Sequence, residues 1–166
     1  MRSTILISKD FREFAELLEK NDVKYLIIGG FAVNFHGYPR YTKDIDIWIM
    51  IDKDNIKNLL KALDQFGFGS LGLSENDFSK EENIIQLGYE PNRIDILVSV
   101  EGLDFGSAYE NKVVTEIEST KLNFISMDDL IIAKKTSARP QDLADADFLT
   151  RLKEKSKKIN KPEKKK

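Results

Sequence analysis

Residues 44–51, with the sequence Asp-Ile-Asp-Ile-Trp-Ile-Met-Ile, alternate isoleucine with other side chains over their whole length. Successive side chains of a β-strand point to opposite faces, so this segment is predicted to be a strand with one face made of isoleucine. The isoleucine face belongs to a hydrophobic core. The other face then begins with Asp44 and Asp46, which lie about 6.6 Å apart along the strand.

The acidic pair at the start of this strand is open to two interpretations. Two carboxylates at this spacing repel each other, which raises their pKa values unless a cation lies between them. A divalent metal ion would remove the conflict. The alternative is a polar strand end that faces solvent, because a single Asp-x-Asp motif is weak evidence for a metal site.

A second segment, 93–100, repeats the pattern. Isoleucine and valine form its apolar face, and Asp95 lies on the opposite face. If the two strands are neighbours with their apolar faces on the same side, Asp95 joins Asp44 and Asp46 in a cluster of oxygen ligands for one or two Mg²⁺ or Mn²⁺ ions. Considered alone, Asp95 would more often be a structural strand residue.

The composition restricts any metal to oxygen ligands. The chain has no cysteine and one histidine, which excludes disulfides, thiolate catalysis, cysteine-bound zinc and a histidine-rich metal site. No apolar run approaches the roughly 20 residues of a membrane span, and the apolar patch near the N-terminus is too short for a signal peptide. We therefore expect a cytoplasmic protein without a membrane partner.

Gly29 and Gly30 stand between an apolar run at 23–28 and a short predicted helix at 31–36. Glycine lets backbone N–H groups approach a phosphate, and a helix N-terminus adds a favourable dipole. The two glycines are therefore candidates for a phosphate seat. The alternative is an ordinary tight turn.

Hydrophobic periodicity and turn residues predict the remaining elements. We predict helices at 8–21, 31–36, 52–66, 127–138 and 140–153, and strands at 23–28, 44–51, 84–89, 93–100 and 121–125. Residues 101–120 give no clear pattern. The order of elements indicates an α/β or α+β fold, a mixed β-sheet flanked by helices.

Charge is distributed unevenly along the chain. Residues 151–166 hold nine lysines and arginines and two glutamates, a net of +7, whereas residues 1–150 hold 17 basic and 26 acidic residues, a net of −9. We therefore predict a domain at 1–150 and a basic, flexible tail at 151–166. The tail is either a solvated end or an arm that attracts nucleic acid phosphates.

Two stretches resemble a known superfamily. The first, at 27–47, reads IIGGFAVNFHGYPRYTKDIDI and resembles the signature of the DNA polymerase beta-like nucleotidyltransferases. The second, at 130–145, reads LIIAKKTSARPQDLAD and resembles the C-terminal helix motif of one branch, the small bacterial nucleotidyltransferases of the abortive-infection and toxin–antitoxin type. The resemblance implies the minimal nucleotidyltransferase fold and transfer of a nucleoside monophosphate from a triphosphate.

The resemblance also implies a role for each matched residue. Asp44, Asp46 and Asp95 would hold Mg²⁺ or Mn²⁺, and Asp95 would help to deprotonate the acceptor hydroxyl. Gly29 and Gly30 would seat the phosphates. The other implied residues are the catalytic, phosphate-binding Lys134, the nucleotide-binding Arg40, Thr42 and Arg139, and the supporting Asp142 and Asp145.

The predicted helix 127–138 offers a physical check on Lys134. At about 100° per residue, Met127, Leu130 and Ile131 form an apolar stripe with Lys134 near its middle. A lysine at that position needs an anionic partner, which a cleft of phosphate and carboxylate would supply. The alternative is a lysine in solvent. Gln141 departs from the motif, because it stands where a lysine is expected.

The resemblance favours RNA, including tRNA, as the acceptor, together with a toxin-like role and an antitoxin partner. Two alternatives stay open. One is a module of the same fold that binds a nucleotide or a partner without turnover. The other is a transferase that modifies a small molecule such as an antibiotic, since a cationic substrate would suit the acidic body.

Overall fold

The computed structural model describes residues 7–39, 42, 44–80, 84–89 and 92–159. Its helices are α1 Lys9–Lys20, α2 Gly29–Phe35, α3 Lys53–Leu63, α4 Phe105–Glu110, α5 Met127–Ser137 and α6 Pro140–Ile159. Its strands are β1 Tyr25–Ile28, β2 Ile45–Ile49, β3 Ile84–Leu87, β4 Ile94–Leu97, β5 Val113–Ile117 and β6 Thr120–Phe124. Short helical turns at 64–71 and 75–78 lie between α3 and β3.

The strands of the described residues form one sheet in the order β3-β4-β2-β1-β6-β5. β2 runs parallel to β4 and β1 runs parallel to β6, whereas the pairs β1–β2, β3–β4 and β5–β6 are antiparallel. The sheet is therefore mixed, and helices flank it. This arrangement confirms the fold predicted from the order of elements.

The hydrophobic core forms around the central strands. Every residue of β1 is buried, and so are Ile47 and Ile49 of β2. α1 contributes Phe11 and Phe14 at helical spacing, both nearly inaccessible to solvent. The Ser8 side chain accepts a hydrogen bond from the Phe11 backbone N–H at 3.1 Å, which fixes the start of α1. Most of the predicted apolar positions are thus buried, although Ile51 is 42% exposed and Trp48, on the predicted acidic face of β2, is buried as well.

Residues 101–120, which the sequence leaves unassigned, form α4 and most of the β5–β6 hairpin. The hairpin turns at Glu118 and Ser119, whose φ angles are 52° and 68°. Turns with this left-handed backbone usually carry Asn-Gly or Asp-Gly. Neither residue here is one of those, so the sequence contains no clear turn signal at this point.

The basic segment after residue 150 begins as a helix. α6 is 20 residues long and continues to Ile159, so the segment predicted as a tail is helical over 151–159, while its flexibility stays a prediction. Lysine and glutamate are strong helix formers, and Leu152 and Lys153 anchor this part by packing on the core and by an ion pair with Asp128. Residues 160–166 lie outside the described residues. No helix in the described ranges has the length and apolar character to cross a membrane.

Candidate active site

The pairing of β2 with β4 brings the predicted acidic residues together. The two strands run parallel, with Asp46 beside Asp95 and Ile45 beside Ile94. Registered partners on neighbouring strands point to the same face, so the two carboxylates project side by side. Asp44 directly precedes β2 and is joined to Asp95 through a shared arginine. The three carboxylates thus lie in one place, while their metal-binding role stays a prediction.

Arg93 is the residue that joins Asp44 to Asp95. Its Nε donates to Asp95 Oδ1 at 2.8 Å, and its Nη2 donates to Asp95 Oδ2 at 3.1 Å and to Asp44 Oδ2 at 2.9 Å. No role for Arg93 is predicted from the sequence, although the alternation of 93–100 puts it on the same face as Asp95. Its contact with Asp44, 49 residues earlier, depends on the strand register, which no local pattern reveals.

Asp46 lies in an excess of negative charge. Burial raises the pKa of Asp46 to about 6, and the charges of Asp95 and Asp44 add to the rise. The positive charges of Lys134 and Arg93 oppose it without cancelling it. A carboxyl group that resists ionisation in this way is placed where another cation would be stabilised.

The donor set suits a hard divalent ion. Carboxylate oxygens are the ligands that Mg²⁺ and Mn²⁺ prefer, and Asp44, Asp46 and Asp95 supply them where negative charge is in excess. Within the residues that the structure describes, however, no three acidic or histidine side chains converge as a coordination shell. Arg93 instead engages both oxygens of Asp95 and one of Asp44, in an ion-pair cluster. The residues fit the metal by chemistry, and an arginine occupies the space between two of them.

Gly29 makes room for Asp46. It is the first residue of α2 and has a φ of 69°, in the left-handed region that favours glycine. A Cβ atom at this position would lie 2.0 Å from Asp46 Oδ2. Gly30 follows in the same turn and is buried. The glycine turn therefore abuts the acidic cluster, and its phosphate-binding role stays a prediction.

Lys134 connects the two C-terminal helices with the acidic cluster. Its side chain is 11% exposed, and its Nζ lies 3.0 Å from Asp142 Oδ1 and 3.2 Å from Asp145 Oδ2. The Asp145 side chain is fully buried. The positive charge of Lys134 also lowers the pKa of Asp46. The interpretation of Lys134 as a lysine in solvent is therefore wrong.

Two side chains that the sequence analysis did not assign complete this network. Gln141 Nε2 donates to Asp145 Oδ1 at 3.0 Å, and Ser137 Oγ donates to Asp142 Oδ2 at 2.5 Å. Burial opposes the ionisation of Asp142, but the hydrogen bonds from Ser137 and Lys134 outweigh it and lower the pKa. Gln141, found where a lysine was expected, thus holds a carboxylate in place.

Thr42 and Arg139 are the remaining predicted site residues that the structure describes. Thr42 Oγ1 donates to the backbone oxygen of Asp44 at 3.0 Å and so supports the start of β2. Arg139 is exposed just beyond the end of α5, and its charge contributes to the low pKa of Asp142. Arg40 lies outside the described residues. Nucleotide binding by these three residues stays a prediction.

A family described as "Nucleotidyltransferase of unknown function (DUF6036)" has a model that matches residues 7–152. The chain belongs to this family. The matched range of this nucleotidyltransferase family includes each described residue of the cluster, from the glycine turn to Asp145 on α6. Comparison with curated proteins gave no significant match.

The fold of this family member is also that of a solved nucleotidyltransferase-like protein. The crystal structure of an antigenic nucleotidyltransferase-like protein from Paracoccidioides brasiliensis matches with a TM-score of 0.52 and 18% sequence identity, over 88% of this chain and 78% of that chain. At this identity the likeness shows the fold alone. Family and fold together establish a nucleotidyltransferase-like protein.

Proposed function

We propose that this protein is a metal-dependent nucleotidyltransferase that moves a nucleoside monophosphate from a triphosphate, ATP being the first to test, to an acceptor hydroxyl. The observation that carries the proposal is the parallel register that sets Asp46 beside Asp95, with Asp44 joined to them. A protein that only needs a stable sheet gains nothing from burying acidic residues together. Their mutual repulsion costs stability, and a bound cation offsets it.

Each group in the cluster has a part in the reaction. Asp44, Asp46 and Asp95 would hold Mg²⁺ or Mn²⁺, which when bound stabilises charge on the attacking and leaving oxygens. Asp95 accepts the proton of the acceptor hydroxyl while the hydroxyl oxygen forms a bond to the α-phosphorus. The bond between the α-phosphorus and the bridging oxygen breaks, and pyrophosphate leaves. Lys134 supplies positive charge towards the phosphates, so the protein acts mainly through positioning and electrostatics.

We propose RNA, with tRNA as the first candidate, as the acceptor, in a toxin-like role that an antitoxin would restrain. The support comes from α6, whose N-terminal half supplies Asp142 and Asp145 to the cluster and whose C-terminal half is basic and mostly exposed. At about 1.5 Å per residue, Lys158 lies roughly 20 Å along the axis from Asp145. A polyanion held on that half of the helix would therefore extend from the region of the cluster.

A binding module without turnover is the second candidate. It is favoured by one observation, namely that Arg93 already engages three of the four carboxylate oxygens of Asp44 and Asp95. A module of this kind would bind a triphosphate or a partner with the ion-pair cluster intact. It would bind nucleotides without a need for divalent metal and would form no product.

Incubation with each labelled triphosphate, Mg²⁺ and total cellular RNA, protein and metabolites tests both candidates. Transfer predicts label in one fraction, RNA if the acceptor proposal is correct and metabolites if the substrate is a small molecule. The Asp46→Asn variant should lose the label, because it removes a central carboxylate. The Asp54→Asn variant is the matched control, since Asp54 is an exposed aspartate in the first turn of α3.

The result that contradicts the proposal is turnover in Asp46→Asn equal to that of the unchanged protein. Calorimetry with each triphosphate, with and without Mg²⁺, identifies the alternative. Binding that does not depend on metal, with no labelled product, would establish the binding module.

A further inference from the structure

The acidic cluster contains its own cation. One guanidinium group, that of Arg93, lies between the carboxylates of Asp44 and Asp95 at hydrogen-bond distances of 2.8 to 3.1 Å. The three side chains are 26%, 22% and 10% exposed, so water screens these charges only in part. Arginine presents several N–H groups in a rigid fork and can bind two carboxylates at once, which a lysine cannot do with the same geometry.

The backbone of Arg93 is fixed while its side chain is the part that can move. The Ile45 backbone N–H donates to the Arg93 carbonyl oxygen at 3.1 Å, so Arg93 is tied to the first residue of β2 at the open end of the strand pair. The contacts of the guanidinium are made with Asp44 and Asp95 at that same end. A rotation of the side chain alone would therefore release the carboxylates without disturbing the sheet.

Arg93 and a divalent ion need the same oxygens. Mg²⁺ binds carboxylate oxygens at about 2.0–2.1 Å with strict geometry, and a guanidinium donating to those oxygens places positive charge at the same point. Arg93 therefore compensates the charges of Asp44 and Asp95 at the oxygens that the ion would need.

We propose that Arg93 is the resident counter-ion of the acidic cluster, which holds Asp44 and Asp95 together and releases at least one of them when a divalent ion binds. This inference rests on the proposed metal-dependent function. Arg93 is a positioning residue that sets the affinity for metal by competing with it. If Arg93 were instead a permanent scaffold for the ligands, its removal would weaken metal binding. The direction of the change in metal affinity on replacing Arg93 therefore separates the two roles.

Manganese affinity in the absence of nucleotide, measured by electron paramagnetic resonance of unbound Mn²⁺, is the decisive experiment. Arg93→Gln should bind Mn²⁺ more tightly than the unchanged protein, on the order of tenfold, because one charge-assisted competitor is removed. Its melting temperature in EDTA should fall, and Mn²⁺ should restore it. Arg12→Gln is the matched control. Arg12 forms an ion pair with Glu118 at a distance of 2.9 Å, and neither residue belongs to the cluster.

A second measurement needs no variant. The Nε–H signal of Arg93 in nitrogen–proton correlation spectra should shift when Mg²⁺ is added to the unchanged protein. An unmoved signal at saturating Mg²⁺, or Mn²⁺ affinity that is equal or weaker in Arg93→Gln, overturns the role of Arg93 while leaving the transferase intact if label is still incorporated. If neither the unchanged protein nor Arg93→Gln binds Mn²⁺, the metal site and this inference fail together.

Discussion

Replacement of Asp46 by asparagine should make the protein more stable at neutral pH in EDTA, although the same change should abolish nucleotide transfer. Burial and the charges of Asp95 and Asp44 raise the pKa of Asp46 from 3.8 to about 6. The folded protein therefore holds the Asp46 proton more firmly than the unfolded chain does. Folding gains from this proton below pH 4, and the gain is lost as the pH rises through 6.

The size of the effect follows from the shift. The pKa rises by about 2 units, and each unit corresponds to roughly 1.4 kcal/mol. Above pH 6, ionised Asp46 therefore lowers the free energy of unfolding by up to about 3 kcal/mol. Asparagine has nearly the same shape and carries no charge at any pH. The difference in unfolding free energy between Asp46→Asn and the unchanged protein should therefore approach that value at pH 7.5 and nearly vanish at pH 4.

Urea unfolding in EDTA at several pH values between 4 and 8 measures this difference. Asp54→Asn serves as the control, since it removes an exposed carboxylate far from β4, and its difference should not follow the same course. The reasoning would be refuted by an Asp46→Asn protein that is less stable at pH 7.5, or by a difference that does not change with pH. The first outcome would mean that the folded protein accommodates the charged side chain better than the neutral amide, and the second that folding does not change the pKa of Asp46.

Three further changes test the rest of the site. Lys134→Ala should lower the free energy of unfolding by about 3 kcal/mol, because it removes the ion pair that Lys134 forms with a fully buried carboxylate on α6. Lys135→Ala, at an exposed position, should leave the melting temperature nearly unchanged. Gly29→Ala should weaken Mn²⁺ binding and should lower the free energy of unfolding more than Gly67→Ala does. At Gly67 the φ angle is also positive, but no atom lies within 4 Å of the added Cβ, so only the backbone strain of about 1–2 kcal/mol applies. Removal of residues 154–166, which hold seven lysines and two glutamates, should flatten the dependence of RNA affinity on salt, and an unchanged slope would exclude this segment as an RNA arm.

The three aspartates of the site could be predicted because a β-strand leaves a short-range signal in the sequence, the alternation of apolar side chains. The isoleucines and valines that alternate at 44–51 and 93–100 put Asp44, Asp46 and Asp95 on the opposite face of each strand. Trp48 and Leu97 share that face, and Trp48 is buried as well. Only the pairing partner had to be assumed, and the parallel register of β2 with β4 fulfils that assumption.

The residues that the sequence did not assign act over long distances or lack a local signal. The strand alternation places Arg93 on the same face as Asp95. Its role depends on contact with Asp44, however, and only the folded sheet brings the two side chains to 2.9 Å. Glu118 and Ser119 form a turn with positive φ angles, and these residue types rarely signal such a turn in a sequence. The helix predicted at 140–153 ends six residues before α6 does, because the high density of lysine after it was interpreted as a sign of disorder, although lysine also favours helices.

The crossover from β2 to β4 has a consequence for the newly made chain. α1, β1, the glycine turn and β2 are synthesised first, whereas Asp95, Lys134 and Asp145 follow Asp44 by 51, 90 and 101 residues. A nascent chain that ends before α6 has no complete cluster. Under the proposed function, the protein would be inactive during most of its own synthesis, because its cluster is complete only when the last helix has folded into place.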